Sequence, residues 1–279
     1  MATDISAEIN YFAYTTDNNS AWLEAGSRLA EQRSNFKQIP ARVAIHDLRG
    51  KEKSVNLDTN AFELLNYDES MQELFEDESE AQKAHYDEMS NLLKKYLNAS
   101  QVIVYHHVFR NRNLSNDMKQ CDQHHRNPAF DPHVDIDEYG IREKIKQMFG
   151  KEQAEKLMEK CFQAVNIWRP LGKNPITTYP LAICDYRSIN LEKDVHSIEL
   201  RGSVNTSTAY MMSRHNQDEH MWYYLSNMKS NEMFIFKMFD SQSDVAQYAF
   251  HTAVKNENAT PSNDEQTSLE MRCLIFYDK

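Results

Sequence analysis

From residue 164 onward the chain reads as one short apolar run after another. The runs "AVNIWRPL", "YPLAICDY", "TAYMMS", "HMWYYLS", "EMFIFKMF", "AQYAFHTAV" and "SLEMRCLIFY" are rich in aromatic or β-branched residues, and turn-forming residues separate them. No helical pattern lies between them. Parallel strands need long crossovers, so strand after strand without a helix points to an antiparallel double sheet or barrel. Upstream, "QVIVYHHVF" (101–109) reads as a further strand, followed by a helical pair, "GIREKIKQMFG" and "KEQAEKLMEKCFQ", with Gly150 as the stop between them. Residues 68–97 are acidic with apolar residues at helical spacing, and Ser70-x-x-Glu73 matches a capping box. Residues 42–65 read as two strands joined by a Gly-containing turn. The expectation is a mainly β fold with flanking helices. A jelly-roll core covers about 100–279, an N-terminal strand pair and helical elaboration cover 1–99, and the whole forms one domain over 1–279.

Charge and composition exclude several functions. Lys+Arg number 31 against 42 Asp+Glu, for a formal charge of −11. Such a surface repels phosphate backbones and anionic lipid, so neither a nucleic-acid partner nor a membrane partner is expected. No apolar run approaches the roughly 20 residues of a membrane helix. The N-terminal stretch also lacks the basic and apolar regions of a signal peptide. The four cysteines are scattered without a CxxC pair, which suggests free thiols and a cytoplasmic location. Six glycines with no Gly-x-Gly argue against a phosphate-cradling loop.

The chemistry-bearing motif lies in "NPAFDPHVDIDEYG" (127–140). Side chains at i and i+2 of an extended chain share a face, so His133 and Asp135 can converge on one ion. Two imidazoles and one carboxylate on one side leave open positions on ferrous iron. The motif alone is weak, because an acidic chain with 11 histidines contains such pairs by chance. A second imidazole must come from elsewhere. Ten histidines are candidates, among them His251, in a strand pattern one strand before the end, and its strongest rival His220.

The last strand carries a lone guanidinium, Arg272, among Met271, Cys273, Leu274 and Ile275. A buried Arg needs an anion. A dicarboxylate such as 2-oxoglutarate could supply it through a bidentate fork, and so could Glu270, which alternation places on the same face. The segment "NIWRP" offers Asn166 to a carboxylate and Trp168 to a substrate. Arg110, Arg126 or Arg169 could take a substrate carboxylate, and Tyr224 is a further wall candidate. "MFIFKMF" is expected to be core, with Lys237 reaching solvent.

Several stretches together resemble a fungal hydroxylase/desaturase family related to a cephalosporin methoxylase partner protein and a gibberellin desaturase. They are "DLRG…VNLDTNAFELL", "DPHVDID", "VNIWRPLGKNP", "YPLAICD", "HMWYYLSNMKSNEMFIFKMFDS", "AFHTAV" and "SLEMRCLIFY". The resemblance implies a double-stranded β-helix and an Fe(II)- and 2-oxoglutarate-dependent oxygenase that uses O2. It maps His133, Asp135 and His251 to the iron, and Arg272 to 2-oxoglutarate. It also implies a small secondary-metabolite or amino-acid-derived substrate, oxidised by hydroxylation, desaturation or cyclisation with release of succinate and CO2. Three other readings stay open: a metal enzyme that does not use 2-oxoglutarate, a non-catalytic jelly-roll binding module, and an accessory subunit. The apolar seam of the acidic helix suggests a homodimer.

Overall fold

The computed structural model describes residues 3–24, 34–67, 74–111, 125–202, 206–216, 220–260 and 266–278. The chain opens with β1 (Ile5–Thr15), in which Ile5, Ala7, Ile9 and Tyr11 alternate inward. Next come β2 (Ala21–Glu24), β3 (Phe36–Asp47), the short helix α1 (Leu57–Asn60) and β4 (Phe62–Asn66). Helix α2 (Glu80–Tyr96) precedes β5 (Gln101–Asn111), β6 (His125–Arg126) and β7 (His133–Val134). Helices α3 (Glu138–Phe149) and α4 (Lys151–Met158) lead into β8 (Phe162–Leu171) and β9 (Leu181–Cys184). The remaining strands are β10 (Val195–Arg201), β11 (Thr206–Met212), β12 (Trp222–Tyr224), β13 (Glu232–Asp240), β14 (His251–Ala253) and β15 (Thr267–Phe276).

These strands form two sheets. One runs β1-β3-β12-β9-β14-β7-β11-β10-β2, the other β4-β13-β8-β15-β5-β6. Their inner faces share a core cluster: Val134, Cys184 and Trp222 of the larger sheet pack with Phe162, Ala164 and Leu274 of the smaller. This is the jelly-roll architecture expected from the strand pattern. Burying apolar area of this extent is the main stabilising term.

The N-terminal strands are built into the sheets and do not form a separate pair. β3 and β4 belong to different sheets, so the segment between them crosses the sandwich through a 3-10 turn and α1 instead of closing a hairpin. Asn56 caps α1 by accepting from the N–H groups of Asp58 and Thr59.

Helix α2 is shorter than the acidic stretch suggested. Its cap is Ser79, which accepts from the Gln82 N–H, while the Ser70–Glu73 box lies outside the described residues. Its buried seam, Met89 and Leu93, packs with Ile167, Leu269 and Met271 on the outer face of the smaller sheet. The seam that suggested a partner copy is thus covered within the chain. Gly150 ends α3 with φ of 77°, a conformation that favours glycine.

Two expectations about the chain before His251 are corrected. The strand there is only His251–Ala253, with residues 246–250 irregular. Lys237 does not reach solvent: it is fully buried, and its Nζ lies 2.6 Å from Asp240 Oδ2.

Candidate metal centre

His133 and His251 are direct cross-strand partners, because β7 and β14 lie side by side and antiparallel in the larger sheet. Their ring centroids are 4.5 Å apart. Asp135 follows two residues after His133 and faces the same way. One ligand atom from each of the three lies within 4.8 Å of the others, and among the described residues no other His, Cys, Asp or Glu group does so.

The polar contacts prepare the imidazoles as ligands. His133 Nδ1–H donates to the Asp131 carbonyl at 2.6 Å, and His251 Nδ1–H donates to the Ala249 carbonyl at 3.3 Å. A carbonyl only accepts, so each Nδ1 carries a proton, and Nε2 is the atom of each ring left to meet a metal ion. Those Nε2 atoms lie 3.7 Å and 3.6 Å from the two oxygens of Asp135. His251 Nε2 is buried and without a hydrogen bond. Such an orphan is what a ligand atom looks like before its ion arrives. Burial, helped by the neighbouring His133, pushes the His251 imidazolium down to about 4, so the ring is neutral at neutral pH.

Asp135 is held from behind. Burial alone would raise its carboxyl, but the Arg272 guanidinium, then His251 and His133, more than offset this and keep it well below the usual range. Asn166 Nδ2 donates to Asp135 Oδ2 at 2.6 Å, and Arg272 Nη2 donates to Asp135 Oδ1. Both partners come from the smaller sheet, where Arg272 on β15 pairs in register with Asn166 on β8. The donor set of two imidazoles and one ionised carboxylate fits ferrous iron.

A cleft runs along this centre, walled by His133, His251, Pro128, Ala129, Trp168, Ile176, Tyr179, Leu181, Thr252, Ala253, Gln266, Ser268, Glu270 and Arg110. Glu270 is buried and bridges two guanidinium groups. Its Oε2 lies 3.3 Å from Arg110 Nη2 and its Oε1 3.3 Å from Arg272 Nη2. Arg110 also donates to the Asn127 carbonyl at 3.2 Å.

The structure therefore brings together His133, Asp135, His251, Asn166 and Arg272, with Trp168 and Arg110 on the cleft wall. The internal pair left open for Arg272 exists. Its guanidinium lies on Asp135 and Glu270. Asn166 faces Asp135.

Arg169 is corrected. It points to the opposite face of β8, fully buried, donating to the Ser230 carbonyl at 2.6 Å and lying over the Tyr67 ring. Alternation from Trp168 dictates this. Tyr224 is also away from the cleft, with its hydroxyl donating to the Thr3 carbonyl. Arg126 lies in β6, and its side chain is outside the described residues. The rival ligand His220 is engaged elsewhere, its Nε2 3.0 Å from Asp194 Oδ2. Gln266, Tyr179 and Thr252 were missed as wall residues, because polar loop residues carry no periodic signal.

Comparison with known proteins fits this geometry. A family model described as "Oxidoreductase/YMDC permease-like domain" matches residues 9–276. The chain belongs to that family. It is 27% identical to the hydroxylase/desaturase efuI of Hormonema carpetanum, over 98% of this chain and 95% of that one. It is 26% identical to the Fe(II)/2-oxoglutarate-dependent dioxygenase nvfI of Aspergillus novofumigatus, over 88% of this chain and 87% of the relative. The resemblance to fungal hydroxylases and desaturases is borne out. The solved structure of the iron and alpha-ketoglutarate-dependent endoperoxidase NvfI has the same fold, with a TM-score of 0.82, 22% identity and 99% of both chains covered. Among the described residues, no helix is long and apolar enough to cross a membrane.

Proposed function

We propose that the chain is a non-haem Fe(II)/2-oxoglutarate-dependent oxygenase of a small molecule, with His133, Asp135 and His251 as the iron ligands. The observation that carries this reading is the pair of cross-strand imidazoles. Each has Nδ1 committed to a backbone carbonyl and Nε2 turned to one shared carboxylate. The relatives' names support the same chemistry. Bound there, iron and 2-oxoglutarate would supply the oxidising power for hydroxylation, desaturation or oxidative cyclisation, with O2 consumed and succinate and CO2 released.

The protein's own groups hold ligands, balance charge and exclude water. Asp135 and Glu270 carry two negative charges, and Arg110 and Arg272 two positive ones. With the histidines counted as neutral metal ligands, that set sums to zero. A divalent cation then leaves a surplus of two, which a dianion such as 2-oxoglutarate cancels inside a low-dielectric cleft. Because Arg110 lines the cleft, its guanidinium takes the far carboxylate. Arg272 and Asn166 fix Asp135 from behind, and such outer partners orient a ligand. Trp168 presents its ring to the substrate. The reading also places the chain in the cytoplasm, in keeping with the free thiols of Cys161, Cys184 and Cys273.

The test is anaerobic titration with Fe(II) and 2-oxoglutarate. A weak visible charge-transfer band appears with the wild-type chain and is absent from His133→Ala and His251→Ala. A wild-type chain that binds iron without the band, or variants that keep it, would overturn the proposal.

A further inference from the structure

The cleft beside the histidines carries a carboxylate of its own. Glu270 stands on β15 in register with Trp168 of β8, and it lines the cleft together with Trp168 and Arg110. Its side chain is buried, and a buried carboxylate needs cations beside it. Arg110 and Arg272 supply them, but each contact is 3.3 Å long. Charge-assisted hydrogen bonds of good geometry run to about 2.7–2.9 Å. The neighbouring bond from Asn166 to Asp135 is 2.6 Å. Glu270 is the loosely held member of this network.

The two guanidinium groups depend on Glu270 unequally. Arg272 also holds Asp135, so its charge is answered whether or not Glu270 stays close. Arg110 has the uncharged Asn127 carbonyl, at 3.2 Å, as its other acceptor. The two oxygens of Glu270 are divided between the arginines, Oε2 to Arg110 and Oε1 to Arg272. Glu270 can therefore release Arg110 and keep Arg272.

We propose that Glu270 is an internal stand-in for a ligand carboxylate: it occupies Arg110 until the far carboxylate of a dicarboxylic co-substrate takes its place. The identity of that ligand rests on the oxygenase reading. The competition itself rests on the contact between Glu270 and Arg110. It makes the site selective, because a monocarboxylate only exchanges one carboxylate on Arg110 for another, whereas a dicarboxylate has a second end to anchor. The apparent affinity falls by the fraction of molecules in which Arg110 is released, so a contact formed in about nine molecules of ten weakens binding about tenfold.

Isothermal titration of the metal-free full chain with glutarate, a dicarboxylate that lacks the 2-oxo group, tests this. Glu270→Gln binds glutarate about tenfold more tightly than the wild-type chain. Loss of a merely structural residue would loosen binding, so the sign of the change is diagnostic. Glu270→Asp keeps the charge but is one methylene too short to span both arginines. It also binds glutarate more tightly, so the test survives if the Gln variant folds poorly. In Glu270→Gln/Arg110→Gln the gain disappears.

Glutarate affinity that is unchanged or weaker in the folded single variants, or a gain that persists in the double variant, overturns the proposal. Anaerobic Fe(II) titration of the wild-type chain separates the two readings. A glutarate gain without iron binding supports the competition and overturns the oxygenase reading. Iron binding without a glutarate gain overturns the competition alone.

Discussion

Lys237 provides the sharpest test of how the fold holds the second histidine. Its ammonium is fully buried, 2.6 Å from Asp240 Oδ2, and it donates to the Ala246 carbonyl at 3.1 Å. Its own carbonyl accepts the Ala249 N–H at 2.9 Å, and Ala249 in turn accepts from His251 Nδ1. Lys237 thus grips both ends of the irregular segment 246–249 that delivers His251. Lys237→Met keeps the stem and removes the charge. Asp240, 1% exposed, then keeps its bond from Gln163 Nε2 but loses its counter-ion. Breaking a buried pair in this way costs about 3–5 kcal/mol. The contact with Asp58, a largely exposed carboxylate, adds little. For a chain of this length that loss lowers Tm by about 6–10 °C. The double variant Lys237→Met/Asp240→Leu removes both charges and recovers most of the stability. The clamp on Ala246 stays broken, so Fe(II) affinity stays about tenfold below wild type in both variants. Thermal unfolding of the metal-free chain and anaerobic Fe(II) titration measure the two effects. A double variant that recovers iron affinity together with stability refutes the positioning argument, and a Tm unchanged in Lys237→Met refutes the energetic one.

Asn166→Leu removes the 2.6 Å bond to Asp135 while keeping the side chain's bulk. Iron affinity falls about 10- to 100-fold, with a fold still intact by circular dichroism, and unaltered affinity would deny Asn166 a role in orienting the ligand. His85, on the buried face of α2, has its imidazolium pushed down to about 4 by burial, reinforced by Arg169 and His107, although its Nδ1 donates to Glu88. Between about pH 6.5 and 4 the unfolded chain therefore binds the extra proton, so stability from this group is full above that window and is lost as pH falls through it, by at most about 3 kcal/mol. Urea unfolding at pH 7.5 and 4.5 should show a shallower acid loss in His85→Leu, and an identical slope would contradict the burial argument.

How much of this was legible in the sequence depended on periodicity. The β8, β13 and β15 runs could be read because their apolar residues are dense enough to mark central strands. The first strand, "ISAEINYFAYT", alternates cleanly but was passed over beside its polar neighbours. The pairing of β3 with β1 and of β4 with β13 was not legible at all, because register and sheet membership are tertiary facts. His133 and Asp135 announce themselves through i, i+2 spacing. His251 becomes a partner only when β14 docks beside β7, which no local pattern encodes. Lys237 misled for a related reason: a lone lysine in an apolar strand normally snorkels outward, and here Asp240 three residues on lets it stay buried.

The arginines show where sequence reasoning runs out. A guanidinium in an apolar strand demands an anion, and alternation nominated Glu270. It could not reveal that Glu270 serves two cations at once, because Arg110 comes from β5, where it lies in register with Ser268. That bridge changes which group is free to meet a ligand. Arg272 is held by two carboxylates, Asp135 and Glu270, whereas Arg110 has one carboxylate partner, Glu270, beside the Asn127 carbonyl, and lines the cleft. A dicarboxylate that entered would compete with Glu270 for Arg110 without disturbing the contact that holds Asp135. On the proposed oxygenase reading, the two arginines would separate two tasks that one residue would have to combine: fixing the metal's carboxylate ligand and exchanging an internal anion for an external one.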